Sequence, residues 1–285
     1  MSLSFQIYEK RKISDADFER LSKFVTSNYG IRLPKEKKVM VEGRLQKRLR
    51  AIEVNDFTAY LDHVFGDEGS QEMVQMVDAI TTNKTDFFRE SAHFEFLSKQ
   101  LLPGYEARYG KKSLTVWSAA ASTGEEIYTL AMVLEEYNRL VDFNKRIDYH
   151  ILGTDLSTEA LKSAVNAVYK FDRIDDVPVE LRNRYFLRSK DRQANTVRVK
   201  GELRRKVAFR RMNLVGSHHE VQEQFDMIFC RNVLIYFDKE TQESVINKLC
   251  RRLRPGGFFF LGHSESIIGK DVPLKSVMPT VYQRM

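Results

Sequence analysis

The chain has 285 residues, 42% of them hydrophobic, which is enough apolar material for one large domain or two smaller ones. Its 46 basic and 39 acidic residues give a net charge of +7, which favours an acidic partner without identifying it. Two cysteines make a disulfide framework implausible, and the lack of a signal segment or a membrane-length apolar run predicts a cytoplasmic protein.

The first 85 residues predict helices only. Ser14, with Asp17 three positions later, indicates a helix start, and Gly30 ends the apolar repeat that follows. A second helix is expected after Pro34, and Asp56 is expected to cap a third. A fourth repeat of helical spacing completes a small all-helical N-terminal domain over residues 1–85.

From residue 113 to residue 285 strands alternate with helices, which is typical of an α/β domain with a parallel sheet. Residues 86–112 are expected to form a connecting helix and a linker. We predict strands near 114–117, 149–154, 207–211, 225–230 and 257–262, and helices near 125–138, 157–167 and 239–253. The strongly basic segment at about 184–206 contains an alternating run and predicts a small antiparallel β insertion.

A loop of small residues, Ser118–Gly124, lies between the first strand and the first helix of this domain. A strand, a small-residue loop and a helix form the arrangement in which backbone N–H groups approach a nucleotide-type cofactor. Asp155 follows the second strand and is well placed to accept hydrogen bonds from two ribose hydroxyls. The alternative is that Asp155 or Ser157 only caps the next helix.

Five segments, in this order, resemble the S-adenosylmethionine-dependent methyltransferases of the Rossmann-like class, and more closely the CheR-type chemotaxis receptor methyltransferases. They are ITTNKTDFFRE (80–90), VWSAAASTGEE (116–126), LGTDLS (152–157), FDMIFCRNVLIYFD (225–238) and LRPGGFFFLGHSES (253–266). The resemblance implies a class I methyltransferase domain with an antiparallel β insertion, preceded by an all-α receptor-docking domain. It further implies that S-adenosylmethionine is the cofactor, that S-adenosylhomocysteine is the product, and that glutamate side chains of chemoreceptors are methylated.

The same resemblance implies roles for individual residues. Arg89 and Tyr236 are expected beside the transferred methyl group, where a guanidinium could also hold a carboxylate in bidentate fashion. The alternatives are an exposed loop arginine for Arg89 and a packing aromatic for Tyr236. The residues expected to bind the cofactor are Asn83, Thr85, Arg89, Glu125, Glu126, Asp155, Asn213, Leu214, Asn232 and Val233, with the choice between the two glutamates open.

A basic run between residues 35 and 50 contains seven basic and two acidic side chains. Arg44, Lys47 and Arg48 are expected to project from the second helix, and the ordinary explanation of such a run is a solvated face. In the family that the chain resembles, this domain docks the acidic cytoplasmic helical bundle of chemoreceptors. These three residues are therefore the candidate partner-binding residues of a protein that we expect to be monomeric, without direct membrane insertion.

Two other interpretations were weighed. A nucleic-acid methyltransferase would explain the cofactor fold and the charge, but the Pro-Pro-aromatic motif of amino-methylating enzymes is absent after Asn232, and Cys230 lies in an apolar strand. A non-catalytic relative that senses cofactor or binds receptor would be expected to have lost some site residues, and this chain retains them. We expect neither nucleic acid nor metal binding, because the His218–His219 pair and the other histidines are better explained by structural roles.

Overall fold

The structure is a computed structural model that describes residues 11–110, 113–191, 193–216 and 221–285. The chain divides into two compact units, Met1–Thr82 and Asn83–Met285. This division lies a few residues before the domain boundary expected at residue 85, because the ITTNKTDFFRE segment is split between the units. Within the described ranges, no helix combines the length and the apolar character needed to cross a bilayer.

The first unit, within residues 11–82, is a four-helix arrangement. Its helices are α1 (Asp15–Tyr29), α2 (Lys38–Ala51), α3 (Phe57–Phe65) and α4 (Ser70–Ile80), with a 3-10 turn at Lys35–Lys37. The Ser14 hydroxyl accepts the Asp17 N–H, and Gly30 ends α1 with φ 70°, which confirms both predicted caps. Asp56 caps α3 through the Ala59 N–H, as expected.

The second unit begins with short helices, α5 (Ala92–Phe96), continued by a π-helical turn at Leu97–Leu101, and α6 (Tyr105–Tyr109). The remaining elements are β1 (Ser113–Ser118), α7 (Glu125–Leu140), β2 (Asp148–Asp155), α8 (Thr158–Asn166), β3 (Val168–Lys170), α9 (Val179–Tyr185), β4 (Phe186–Arg188), β5 (Thr196–Val199), α10 (Gly201–Arg204), β6 (Val207–Arg211), β7 (Phe225–Cys230), α11 (Lys239–Cys250), β8 (Leu253–Leu261), β9 (Leu274–Met278) and β10 (Val281–Arg284). Short 3-10 turns lie at Phe143–Lys145, Phe171–Ile174 and Leu234–Tyr236. The predicted alternation of strands and helices is confirmed.

The main sheet has the strand order β6-β2-β1-β7-β8-β10-β9 in the described chain. Strand β1 pairs in parallel with β2 and β7, with Val116 opposite Ile151 on one side and Met227 on the other. Strand β10 runs antiparallel to β8 and β9. The chain leaves β1 towards β2 and β6 and returns to β7 on the opposite side of β1. A crevice for a ligand is therefore expected at the carboxyl ends of β1 and β7.

The core of the second unit follows from the strand composition. All six residues of β7 are buried, as expected for a parallel strand that is covered on both faces. The rings of Phe229 on β7 and Phe260 on β8 stack with centroids 4.1 Å apart. Trp117 on β1 is fully buried, and its indole N–H donates to the Thr154 hydroxyl (2.9 Å) on β2. The central strands therefore form a rigid base for the loops that follow them.

Two details differ from the sequence prediction. The antiparallel insertion, with strand order β3-β5-β4, begins at Val168 instead of near residue 184. Strand β3 has three residues, which is too short for an alternating pattern to be recognised. Strand β8 begins at Leu253, not near residue 257, because Leu253 already pairs with Phe225 before the register shifts. The Pro-Gly-Gly segment is thus an irregularity inside the strand, with Gly256 at φ 76°.

Candidate functional site

The loop after β1 places backbone N–H groups and the start of α7 at the carboxyl edge of the sheet. The Ala121 N–H donates to the Thr154 carbonyl (2.9 Å), which ties the loop to β2. Gly124 has φ 97°, and a Cβ there would lie 3.0 Å from the Ala164 Cβ and from the Tyr169 hydroxyl. Only glycine fits where this loop enters α7, so the one glycine of the small-residue loop has a steric reason.

Asp155 ends β2, and both of its carboxylate oxygens accept backbone N–H groups. Oδ2 accepts from Ser122 (2.8 Å) and Oδ1 accepts from Ser157 (2.9 Å). Ser157 is itself the N-cap of α8, because its hydroxyl accepts the Ala160 N–H. Of the two residues that the alternative interpretation named as a helix cap, Ser157 is the N-cap, and Asp155 accepts the backbone N–H of that residue. Each carboxylate oxygen has more than one lone pair, so ribose hydroxyls can bind in addition.

Glu125 begins α7 as a buried carboxylate with 2% of its side chain exposed. Its Oε2 accepts the Thr123 hydroxyl (2.6 Å), and its Oε1 accepts the Arg173 guanidinium (2.8 Å). Arg173 lies in the turn after β3 and also donates to the Thr85 carbonyl and the Asp86 carboxylate. Glu125 and Arg173 therefore connect the β insertion and α7 to the segment that holds Thr85.

Arg231 follows β7 and is a buried guanidinium between three parts of the site, with 2% of its side chain exposed. Its Nη1 donates to Glu126 Oε2 (2.8 Å), and its Nη2 donates to Glu90 Oε2 (3.0 Å) and to the Arg89 carbonyl. The other oxygen of Glu126 accepts the Ser118 hydroxyl (2.7 Å). A charge so deeply buried needs such partners, so Arg231 determines where both carboxylates lie.

Glu90 is held on its other side by two further donors. Its Oε1 accepts hydrogen bonds from the backbone N–H of His263 (3.1 Å) and from the side-chain amide of Asn232 (3.2 Å). Burial acts to raise the pKa of Glu90, but the His263 N–H and the Arg231 guanidinium outweigh it, so the pKa lies below its usual value. Burial, with Arg231 nearby, lowers the pKa of His93 to about 4, and this ring is neutral near pH 7.

Glu265 holds the loop after β7 in a left-handed backbone conformation. Asn232 has φ 56°, which asparagine tolerates better than most residues. Glu265 Oε2 accepts the N–H groups of Asn232 (2.9 Å) and Gly262 (2.7 Å), and its Oε1 accepts that of Leu234 (2.7 Å). Burial raises the pKa of Glu265, and these backbone donors oppose that rise. Three backbone bonds from one carboxylate fix the position of the Asn232 side chain.

The segment from Asn83 to Glu90 is anchored to the small-residue loop and to α7. The Asn83 carbonyl accepts the Ser122 hydroxyl (3.0 Å), and the Phe88 N–H donates to the Thr129 hydroxyl (3.1 Å). Phe88 and Glu90 have φ values of 55° and 57°, so the backbone here is strained. Strain of this kind is concentrated at ligand clamps, and it persists only where surrounding contacts enforce it.

Arg89 is half-buried, and its Nη1 donates to the Lys84 carbonyl (3.1 Å). Among the described residues its guanidinium forms no ion pair. Tyr236, also half-buried, ends the 3-10 turn that Val233 precedes. Arg89 therefore has free N–H groups with which it could bind a carboxylate at this edge of the sheet.

Asn213 and Leu214 follow β6, next to Asp155. Strand β6 pairs with β2 in parallel, and the Met212 N–H donates to the Asp155 carbonyl (2.9 Å). Asn213 is half-buried, and its side-chain oxygen accepts the Val215 N–H (3.1 Å), while Leu214 is buried. The predicted cofactor residues of the second unit thus gather at the carboxyl ends of β1, β2, β6 and β7.

Sequence reasoning did not assign roles to Arg173, Arg231 or Glu265. Both Arg231 and Glu265 lie inside segments that were recognised as motifs; Arg231 directly follows β7, and Glu265 lies in the loop after β8. An ionisable residue at the end of a strand that is apolar throughout is a usable signal, because it must find a partner when buried. Arg173 carries no such signal, since its partners are distant in the sequence.

The three basic residues predicted to bind a partner lie on α2 of the first unit in different surroundings. Arg44 donates to two carbonyls at the C-terminal end of α4 (both 2.8 Å). Arg48 forms an ion pair with Glu72, which is 7% exposed and also accepts the Tyr60 hydroxyl (2.8 Å). Lys47 is exposed. Two of the three side chains therefore hold the first unit together, and Lys47 remains on its surface.

Comparison with known proteins gives matches over nearly the whole chain. The family model described as CheR methyltransferase, all-alpha domain, matches residues 16–81, and the one described as CheR methyltransferase, SAM binding domain, matches residues 83–282. The chain is 36% identical to a chemotaxis protein methyltransferase of Borreliella burgdorferi, over 95% of each chain. It is 39% identical to chemotaxis protein methyltransferase 2 of Pseudomonas aeruginosa, over 93% of this chain and 92% of that protein. It is 37% identical to the chemotaxis protein methyltransferase of Escherichia coli, over 93% of this chain and 89% of that protein.

Proposed function

The chain belongs to the CheR methyltransferase family, and from that premise we propose that it methylates glutamate side chains of chemoreceptors. The cofactor is S-adenosylmethionine, which the matched domain binds. The products are a glutamyl methyl ester and S-adenosylhomocysteine. The observation that carries the choice of substrate is Arg89, a half-buried guanidinium without an ion-pair partner among the described residues.

The reaction demands little acid–base chemistry from the protein. A glutamate side chain has a reference pKa of about 4.3 and is ionised near pH 7. One carboxylate oxygen attacks the methyl carbon, the carbon–sulfur bond breaks, and the sulfur keeps the electron pair. No proton is transferred in this step, so no general base is needed. Positioning the two reactants in line and excluding water supply most of the catalysis.

Arg89 would hold the incoming carboxylate, and Tyr236 would stand near the methyl group and that carboxylate. The buried Arg231 supports Arg89 through its carbonyl. Because the Arg89 guanidinium forms one hydrogen bond within the described part of the chain, to the Lys84 carbonyl, its remaining N–H groups are available for a bidentate contact with a carboxylate. Arg89 would thus select a carboxylate over a neutral or cationic nucleophile.

The cofactor would lie across the carboxyl edge of the sheet, with its ribose at Asp155 and its adenine beside Asn213 and Leu214. Its methionine end would lie near Asn232, Val233, Asn83 and Thr85. Of the two glutamates that begin α7, we assign the methionine amino group to Glu126. Glu126 faces the loop after β7 through Arg231, whereas Glu125 faces the insertion through Arg173.

The test is transfer of tritiated methyl from S-adenosylmethionine to purified chemoreceptor cytoplasmic fragments. We expect label that is released as methanol in mild base, because methyl esters hydrolyse and methylated amines do not. Arg89→Ala should abolish transfer, and Arg89→Lys should restore little, since lysine cannot form the bidentate contact. Arg139→Ala, which removes a 55% exposed arginine near the C-terminal end of α7, is the matched control. Base-stable label, or full activity in Arg89→Ala, would contradict the proposal.

Receptor docking is a second part of the proposal. Lys47 lies on the exposed side of α2 together with Val39, which is 70% exposed, and Gly43, whose Cβ position is open. This face carries positive charge and would meet an acidic helical bundle. Arg44 and Arg48 were expected to share the role, but their contacts inside the unit make their replacement ambiguous.

The docking test therefore uses Lys47. Lys47→Glu should raise the KM for receptor several-fold at low salt and leave the affinity for S-adenosylmethionine unchanged, because charge reversal acts mainly on encounter with the acidic partner. Lys23→Glu, an exposed lysine on α1, is the matched reversal. Equal KM values for the two variants would refute docking through this face of α2.

A further inference from the structure

Glu90, His93 and His263 bring three metal-ligating atoms together beside the site. Each offers one such atom, and these atoms all lie within 4.8 Å of one another. Glu90 Oε2 is 3.8 Å from His93 Nδ1 and 3.9 Å from His263 Nε2. The two imidazole rings meet edge to face with centroids 5.6 Å apart. Two imidazoles and one carboxylate form a ligand set that zinc accepts in proteins.

The contact between His93 and Thr280 is compatible with the tautomer that a metal ligand needs. The ring is fully buried, and its Nε2 lies 2.8 Å from the Thr280 hydroxyl oxygen. That hydroxyl donates its single proton to the Pro279 carbonyl (2.7 Å). With its proton on the Pro279 side, the hydroxyl accepts from His93 Nε2–H, and Nδ1 then presents the lone pair that a metal ligand needs.

His93 Nδ1 lies 3.8 Å from Glu90 Oε2, beyond hydrogen-bond distance. His93 Nδ1 is buried and has no hydrogen-bond partner among the described residues. A buried polar atom without a partner is unfavourable, and this one lies beside the Glu90 carboxylate. A cation between Nδ1 and Oε2 would supply the partner that Nδ1 lacks. Holding the second ring nitrogen of a ligating histidine by a hydrogen bond is also the usual arrangement at metal centres.

The surrounding charge permits a divalent cation. Glu90 and Glu126 share the single guanidinium of Arg231, which leaves this group with a net charge of −1. Glu265 adds a further carboxylate, directed at the neighbouring backbone. A second positive centre is therefore offset by acidic groups within the same cluster.

We propose that Glu90 Oε2, His93 Nδ1 and His263 Nε2 bind one first-row transition-metal ion of the Zn²⁺ class, with water in the fourth position. Tetrahedral ligands about 2.0–2.2 Å from zinc lie roughly 3.3 Å apart, so the two separations from Glu90 Oε2 must each shorten by about half an ångström, and the two histidine nitrogens must approach each other to a similar distance. His263 can make this movement, because 57% of its side chain is exposed. The bound metal ties the segment that carries Arg89 to the loop after β8.

The test follows Co²⁺ binding by its visible absorption, with Zn²⁺ as competitor, and does not measure methyl transfer. The background variant is His218→Ala/His219→Ala, because this adjacent pair lies outside the described residues and could bind metal by itself. In that background we expect one Co²⁺ per chain with the intense bands of a four-coordinate site, displaced by one equivalent of Zn²⁺. Failure to bind one Co²⁺ or Zn²⁺ per chain would overturn the proposal.

Two further variants identify the ligands. His263→Ala should weaken Co²⁺ binding at least 100-fold, and Glu90→Gln at least 10-fold. His150→Ala, which removes an exposed histidine on β2, should leave binding unchanged. Unchanged thermal melting of the His263 variant shows that the loss is local, as expected for an exposed side chain. Equal affinity in the His263 and His150 variants would refute the site.

Discussion

Removing the Arg231 guanidinium should destabilise the second unit far more than removing an exposed arginine. In Arg231→Met the carboxylates of Glu90 and Glu126 would lose their shared cation, although only 10% and 11% of their side chains are exposed. Breaking a buried ion pair by removing one partner costs about 3–5 kcal/mol, because the remaining charge is left without compensation. Because two buried carboxylates, those of Glu90 and Glu126, lose their cation in this variant, we expect a cost at the upper end of that range.

Urea unfolding followed by tryptophan fluorescence measures this effect selectively. Trp117 is the one tryptophan of the chain and is buried on β1, so its emission reports on the second unit. We expect the free energy of unfolding to fall by about 3–5 kcal/mol in Arg231→Met. Arg231→Lys should lose less, because its ammonium restores the charge but not the fork of donors. The affinity for S-adenosylmethionine should fall in both variants, because the Glu126 side chain loses its orientation.

The matched control for this prediction is Arg139→Met. Arg139 is 55% exposed and pairs with a partly exposed glutamate, so its loss should cost less than about 1 kcal/mol. A loss below about 1 kcal/mol in Arg231→Met, or equal losses in the two variants, would refute the view that Arg231 is the electrostatic centre of the site.

Three other outcomes are expected. Arg48→Glu should destabilise the first unit by placing two carboxylates together, and the added change Glu72→Arg should restore its stability. Thermal melting of the single and double variants measures both effects. A double variant that melts no higher than Arg48→Glu would contradict the pairing of Arg48 with Glu72. Arg173→Ala should raise the KM for S-adenosylmethionine about fivefold with little change in kcat, because Arg173 is 40% exposed and its contacts with the buried Glu125 are worth about 1 kcal/mol. Steady-state kinetics of this variant and of Arg173→Lys test the prediction. An unchanged KM in Arg173→Ala would argue against a positioning role for Arg173. Burial raises the pKa of Cys250 to about 12 and also raises the pKa of Cys230. Neither thiol should therefore react with a disulfide reagent at pH 8 until the protein is unfolded in guanidinium. Rapid reaction of the native protein would contradict the buried placement of the two cysteines.

Local interactions explain why much of the fold could be predicted from the sequence. The caps at Ser14 and Asp56 involve partners three residues away, so short-range patterns reveal them. The buried strands β1, β2 and β7 appear as apolar runs because both faces of a parallel sheet are covered. The misplaced starts of the insertion and of β8 occur where a strand is very short or irregular, which weakens any periodic signal.

For the candidate site, too, local sequence patterns revealed some features, and contacts between distant residues determined the others. The motif segments identified the loop after β1, Asp155 and the segment around Arg89, because residues that act on a cofactor lie where parallel strands end. The proposed choice between Glu125 and Glu126 rests on which distant arginine each one meets, Arg173 or Arg231. No local pattern encodes such pairings, because they join residues 48 and 105 positions apart.

The sequence by itself determined the family, the alternation of most strands and helices, and a set of candidate residues for the cofactor. Only the tertiary structure decided how those residues are used. It placed Arg48 in an ion pair with Glu72 within the first unit and joined Glu90 to His263 across 173 positions of the chain. The physical reason is that a charge acquires its partner and its desolvation through packing, and packing depends on where the whole chain folds.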